Sequence, residues 1–185
     1  MIAQSLVAPG PTLETERLIL RPTAQADLDG WAAMMGDEET SRFIGGLQGR
    51  AQSWRGMASM AGSWALLGFG MFTMLEKSTG AFVGRAGPWM PEEWPGTEVG
   101  WGLKREAWGK GYAVEAATAA IDWAFDTLGW TEVIHCIDAG NVNSQKVAQR
   151  LGSTKLREAY LPPPFQELKI DVWGQSREAW RARRR

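Results

Sequence analysis

Along this chain the spacing of apolar positions switches repeatedly between the two-residue period of strands and the three-to-four-residue period of helices. Arg17-Leu-Ile-Leu-Arg21 reads as a first strand, stopped by Pro22. Thr23 or a nearby polar residue can cap a helix reaching Met35, with Leu28, Trp31 and Met35 on one face. Met57, Met60 and Trp64 repeat at helical spacing in a second helix over residues 50–66 and read as core. Phe69–Leu75 and Phe82–Trp89 then read as antiparallel neighbours around a turn near Lys77–Gly80. Proline and glycine make Pro91–Gly96 a loop.

A strand over Thr97–Leu103 follows, then two glycines, then a helix to Leu128 with Val114, Ala117, Ile121, Phe125 and Leu128 on its apolar stripe. Gly129 is its stop. Thr131–Ile137 is rich in strand formers, and Asn141–Ser144 opens a short helix that carries Val147, Ala148 and Leu151 and ends at Gly152. Pro162–Pro164 is a rigid break before a last strand, Leu168–Val172, and a tail of arginine and tryptophan. This order predicts a mixed α/β sheet with helices packed on it.

Composition narrows the classes. Apolar residues make up 44% and charged residues 22%, ordinary for a soluble domain. A net charge of −1 points to neither nucleic acid nor an anionic membrane. Residues 1–12 read as a flexible leader without the features of a signal peptide, 13–180 as one domain, and 181–185 as a solvated basic tail. No apolar run is long enough to span a bilayer. Cys136 is the only cysteine, which excludes an internal disulfide and suits a reducing cytoplasm, the expected location.

Gly109-Lys110-Gly111 invites a nucleotide-binding reading that its spacing rejects. A P-loop needs glycine at position 104 and serine or threonine at 111, where Lys104 and Gly111 stand. The dinucleotide fingerprint needs a third glycine where Val114 stands. With His135 the only histidine, a zinc site of histidines and cysteines is not expected, and no metal is called for. His135 and Cys136 are neighbours on a predicted strand and point to opposite faces, which argues against a nucleophilic pair.

What remains is a carboxylate and a glycine-rich helix entrance. Alternation puts Val99, Trp101 and Leu103 on one strand face and Glu98, Gly100 and Gly102 on the other. Glycines within a strand mark close approach by a backbone or a ligand. The amides of Trp108, Gly109, Lys110, Gly111, Tyr112 and Ala113 can converge where the next helix starts, a natural seat for pyrophosphate. Together these features describe an extended ligand lying along the strand, phosphates at the helix.

The segments EVGWGLKREAWGKGYAVEA and NVNSQKVAQRLG, with ERLILRP near the start and WGQSREAW near the end, closely resemble the GNAT N-acetyltransferase superfamily. The likeness is to the branch of ribosomal-protein N-terminal (alanine/serine) acetyltransferases and covers residues 13–180. It implies a twisted, mostly antiparallel mixed sheet of about seven strands flanked by about four helices. It also implies acetyl-CoA as co-substrate and a primary amine, a peptide N-terminus or a small amine, as acceptor.

By the resemblance, backbone groups of Trp101 and Leu103 pair with the pantetheine arm, the residue 108–113 loop holds pyrophosphate, and Asn141 contacts CoA. Glu106 departs from the family's usual first loop position. The helix position where many relatives carry a proton-donating tyrosine is Ala148, so Ser144 becomes the substitute acid. Glu98 would take the proton from the attacking amine, directly or through water, and a strand N–H would stabilise the oxyanion. Segments 42–64, 88–96 and 159–165 are expected to wall the acceptor site, with Trp89 and Trp94 as candidate lining. Similar proteins often form homodimers, which this sequence does not decide. Two alternatives stay open: a CoA-binding regulatory module without turnover, and a protein-interaction domain.

Overall fold

The computed structural model describes residues 10–184. Most of the expected leader, residues 1–9, and the last tail residue lie outside that range. Among the described residues eight strands form one sheet in the order β1-β2-β3-β4-β5-β6-β8-β7. They are β1 (Leu13–Glu14), β2 (Leu18–Pro22), β3 (Phe72–Glu76), β4 (Phe82–Trp89), β5 (Glu98–Leu103), β6 (Glu132–Ile137), β7 (Thr154–Tyr160) and β8 (Lys169–Ser176). Every neighbouring pair is antiparallel except β5 and β6.

Among the described residues six α-helices accompany the sheet: α1 (Leu28–Met35), α2 (Glu38–Ser41), α3 (Arg50–Leu67), α4 (Tyr112–Asp126), α5 (Val142–Leu151) and α6 (Arg177–Ala182). Helix α4 buries Ala116, Ala117, Ala120, Ile121, Ala124 and Phe125 against strand residues such as Val99 and Val133. Its run of alanines lets the helix lie close to the sheet, so the buried stripe is wider than the one the period alone predicts, and Val114 and Leu128 fall at its half-buried margins. Helices α1 and α3 make a second apolar layer with Trp31, Met34, Met35, Met57, Met60 and Met71. Burying a side chain such as Ile121 or Trp31 contributes about 1.5–3 kcal/mol.

The parallel pair β5–β6 is short, with Glu98 opposite Ile134 as its register point. The Ile134 amide donates to the Thr97 carbonyl at 2.9 Å. One step further, side chains take over from the ladder. The Cys136 amide donates to Glu98 Oε1 at 3.0 Å, and His135 Nδ1 bonds the Val99 carbonyl at 2.7 Å. The two strands are thus joined through side chains at the point where the candidate site begins.

Several elements differ from the sequence expectation. Strand β7 carries no apolar alternation because it is an exposed edge, paired with β8 alone and bulged between Lys155 and Arg157. Its charges suit an edge that must not recruit another strand. Strand β8 runs on to Ser176, and the tail begins as helix α6, capped by the Ser176 hydroxyl, which accepts the Ala179 amide. Two tail arginines are not simply solvated: Arg181 pairs with Asp126 at 2.9 Å and Arg184 with Asp122 at 2.6 Å, both on α4. Thr23 does not cap α1. Asp27 does the local work, accepting the Ala24 amide at 2.8 Å, the Thr73 hydroxyl at 2.9 Å and both outer nitrogens of Arg21.

Candidate active site

Two recesses meet at the end of the β5–β6 pair. One, of about 450 Å³, is bordered by Trp31, Met60, Met71 and Arg85, by Trp89, Trp94 and Glu98, and by the Pro162–Phe165 loop. The other, of about 500 Å³, runs along Trp101–Leu103 to the start of α4. Phe43, Ile44, Trp101, Asn141 and Ser144 border both. Molecules bound in the two recesses would therefore meet at Trp101 and Ser144.

Glu98 opens β5 and is 6% exposed, its carboxylate turned into the first recess as strand alternation requires. Oε1 accepts the Cys136 amide and Oε2 accepts the Trp94 indole N–H. Burial pushes its pKa up to about 7, while the Cys136 and Trp94 hydrogen bonds and the nearby Arg85 charge pull it the other way. At neutral pH this carboxyl divides between its acid and base forms, the condition that suits a general base.

Gly100 and Gly102 share that face. A Cβ on Gly100 would stand 2.7 Å from Met71 Cε and 3.4 Å from Glu98 Oε1. A Cβ on Gly102 would stand 3.1 Å from Ile44 Cδ1. These strand glycines let Met71 and Ile44 pack close against β5 rather than relieve a turn.

The second recess is built around a loop held by positive backbone angles. Gly109 has φ 73° and Gly111 φ 82°, the left-handed region that side chains disfavour. At Gly109 a Cβ would touch nothing within 4 Å, so conformation and not space demands glycine there. The amides of Gly109, Lys110 and Gly111 donate to no other described residue. With the first-turn amides of α4 they fit an anionic phosphate group.

Residues far away in sequence brace this loop. Arg17 Nη1 donates to the Lys110 carbonyl at 2.9 Å, and its guanidinium lies 4.7 Å over the Tyr112 ring. Arg17 also pairs with Glu115 at 2.6 Å, and the Tyr112 hydroxyl donates to Glu76.

Of the residues expected to hold a ligand, Trp101, Leu103, Trp108, Gly109, Gly111, Tyr112, Ala113 and Asn141 border the second recess together with Ser144. Lys110 does not, and it enters the loop through its carbonyl. The Leu103 carbonyl already accepts the Trp108 indole N–H at 2.9 Å. Asn141 Oδ1 accepts the Ser144 amide at 3.1 Å, the cap that starts α5. The Ser144 hydroxyl accepts the Trp101 indole N–H at 3.3 Å. Ala148 is fully buried in a cluster with Ile137 and Trp173, flanked by Trp101, and borders neither recess.

His135 is also buried, with Nε2 3.0 Å from the Ser153 hydroxyl and its ring 4.8 Å from that of Trp101. Burial pulls its pKa down to about 4, so it is neutral at physiological pH. Burial and the adjacent Glu98 push the Cys136 thiol well up, which removes it as a nucleophile. Arg85 escapes sequence reasoning, since an arginine inside an apolar strand run carries no signal of which face it takes.

The sequence of residues 17–154 matches the profile of the acetyltransferase (GNAT) domain. The chain belongs to the GNAT acetyltransferase family. An uncharacterized N-acetyltransferase, p20, from Bacillus licheniformis is 31% identical over 148 residues, covering 78% of this chain and 83% of that protein. An acetyltransferase structure from Agrobacterium tumefaciens superposes with a TM-score of 0.79 at 32% identity, across 94% of this chain and 99% of that one. Mycobacterium smegmatis RimJ in complex with CoA-disulfide gives a TM-score of 0.70 at 17% identity, over 90% of this chain and 87% of that one. At that identity the likeness speaks for the fold. Against the about seven strands and about four helices that the resemblance implied, the described residues hold eight strands and six α-helices; β1 and β7 are strands the apolar pattern did not mark, and α2 and α6 are the added helices.

Proposed function

We propose that this protein transfers an acetyl group from acetyl-CoA to a primary amine by direct attack within a ternary complex. The observation that carries the reading is Glu98, a buried carboxyl with a pKa near 7, in a recess that shares Trp101 and Ser144 with a second recess ending at unpaired amides. Membership of the GNAT family and the name of the p20 relative support N-acetyl transfer. The RimJ complex with CoA-disulfide supports CoA as the donor's carrier.

In this reading acetyl-CoA supplies the activated acyl group, and the chain does four things. The Gly109–Ala113 amides hold pyrophosphate, and the edge of β5 at Trp101 and Leu103 aligns the pantetheine arm. Glu98 takes the proton of an amine that is mostly protonated at neutral pH, since α-amino groups have a pKa near 7.7–8.0 and lysines near 10.4. The Ser144 hydroxyl, its oxygen fixed by the Trp101 indole N–H, relays a proton to the departing thiolate, taking one from water as it gives up its own. Confinement of both partners at the junction supplies a large part of the acceleration.

Thiol release from acetyl-CoA, measured over peptide N-termini, polyamines, amino acids and aminoglycosides, tests this function. Amine-dependent release supports it. CoA binding with no release for any amine would favour a regulatory module, and no CoA binding at all would exclude both.

A further inference from the structure

Arg85 lies on β4 opposite Gly102 and borders the Glu98 recess. It is 9% exposed, yet it makes no ion pair with any described residue. Nε is buried without a hydrogen-bond partner. Nη1 reaches only Met60 Sδ, at 3.6 Å, and the guanidinium carbon sits 5.0 Å over the Trp31 ring. Burial draws its pKa down to about 10, with Glu98 opposing, so the group keeps its charge at neutral pH. A buried, unpaired cation is costly, and such sites persist where something pairs with them.

The position of that cation relative to Glu98 is informative. Arg85 Nε lies 3.5 Å from where a Gly102 Cβ would be, and Glu98 Oε1 3.4 Å from where a Gly100 Cβ would be. Positions two residues apart on one strand face are separated by about 6.5–7 Å. Glu98 and Arg85 thus border one recess, a proton acceptor at one end and a guanidinium without an ion-pair partner at the other, with Gly100 and Gly102 between them closely approached by Met71 and Ile44. Its walls include the apolar Trp31, Met60, Met71 and Trp89, and the two other carboxylates on the recess, Glu92 and Asp138, make no ion pair with Arg85.

We infer that the acceptor carries an anionic group, a carboxylate or phosphate, a few ångströms from its reactive amine, and that Arg85 binds this group while the amine faces Glu98. The inference rests on the acetyl-transfer reading and sharpens its acceptor. Guanidinium matches either anion through paired N–H donors. A polyamine would bring a second cation to the same end. Pairing Arg85 with an anion also removes a charge that now lowers the Glu98 pKa, so binding of the right acceptor strengthens the base.

The test uses the full chain, acetyl-CoA and matched acceptors. Glycine, methionine, phenylalanine and aspartate are compared with their carboxamides, phosphoethanolamine with ethanolamine, and spermidine serves as the cation. The expected result is a kcat/KM for the anionic members on the order of tenfold or more above the neutral ones, in the carboxylate or the phosphate arm. Arg85→Met should bring that ratio close to one, and Arg85→Lys should keep part of it. A ratio survives a general loss of stability that a purely structural arginine would cause. Equal or better use of neutral or cationic acceptors, or a ratio unchanged in Arg85→Met, would overturn the inference and leave acetyl transfer standing. Should no thioester be consumed, the functional reading fails, and calorimetry of N-acetylated acids against their amides decides the anion site. Binding of the acids alone, lost in Arg85→Met, supports it, and no preference for the acids refutes it.

Discussion

The Cys136 amide donates its hydrogen bond to Glu98 Oε1 at 3.0 Å, across the end of the one parallel pair in the sheet. Together with the Trp94 indole N–H on Oε2, it restrains a carboxyl that burial alone would push further toward its acid form. Removing the indole donor should release part of that restraint. Trp94→Phe is predicted to move the acidic limb of the rate profile to higher pH while the aromatic wall stays largely in place. A limb that stays put or shifts to lower pH would show that Trp94 does not tune Glu98.

Stability should carry two opposing pH slopes. Glu98 has a folded pKa near 7, above its ordinary 4.5, so the native state holds the extra proton and stability falls as pH rises from about 4.5 to 7. His135 has a folded pKa near 4, below its ordinary 6.5, so the unfolded chain binds the extra proton and stability rises from about pH 4 to 6.5. In the wild type these contributions largely offset. Glu98→Gln should unmask the histidine slope, seen as a melting temperature that climbs between pH 4 and 6.5 more steeply than in the wild type. Parallel curves for the two proteins would contradict the burial of one or both groups.

Backbone conformation at the phosphate loop should be felt in binding before stability. Valine at Gly109 or Gly111 must adopt a left-handed angle that costs an L-residue roughly 1–2 kcal/mol. CoA affinity by calorimetry should fall by about tenfold or more in each, for 1.4 kcal/mol corresponds to tenfold. Gly62→Ala in α3, where a Cβ meets nothing within 4 Å, is the control and should bind CoA normally. Normal affinity in both loop variants would remove the loop from the site.

Ser144 tests the second proton transfer. Its oxygen accepts the Trp101 indole N–H, which leaves its own proton available toward the junction. Ser144→Ala should lower kcat by up to about 10²-fold with CoA affinity retained. Unchanged turnover would assign the proton to water.

The β5–α4 segment was legible because its signals are local. Alternation from Glu98 to Leu103 sets the face, and the glycines at 109 and 111 mark a turn into a helix. The partners of Glu98 were not legible. Cys136 lies 38 residues away, and only the parallel pairing of β6 with β5, closed over α4, brings its amide to the carboxylate. Arg85 was hidden for a similar reason, because its face depends on how β4 pairs across a register shift at Met74 and Leu75. Strand β7 lacked any pattern, since a solvated edge has no buried side to write one. Asn141 and Ser144 were found by position, yet the indole bond from Trp101 follows from packing that a linear motif does not encode.

Glu98 as the base is the central claim, and one paired measurement on Glu98→Gln tests it: thiol release from acetyl-CoA with a saturating amine between pH 6 and 9, beside CoA binding by calorimetry. The account predicts that kcat falls by about 10²-fold or more, that the limb near pH 7 disappears, and that CoA affinity is retained. Turnover equal to the wild type across that range, with the limb still present, would contradict it.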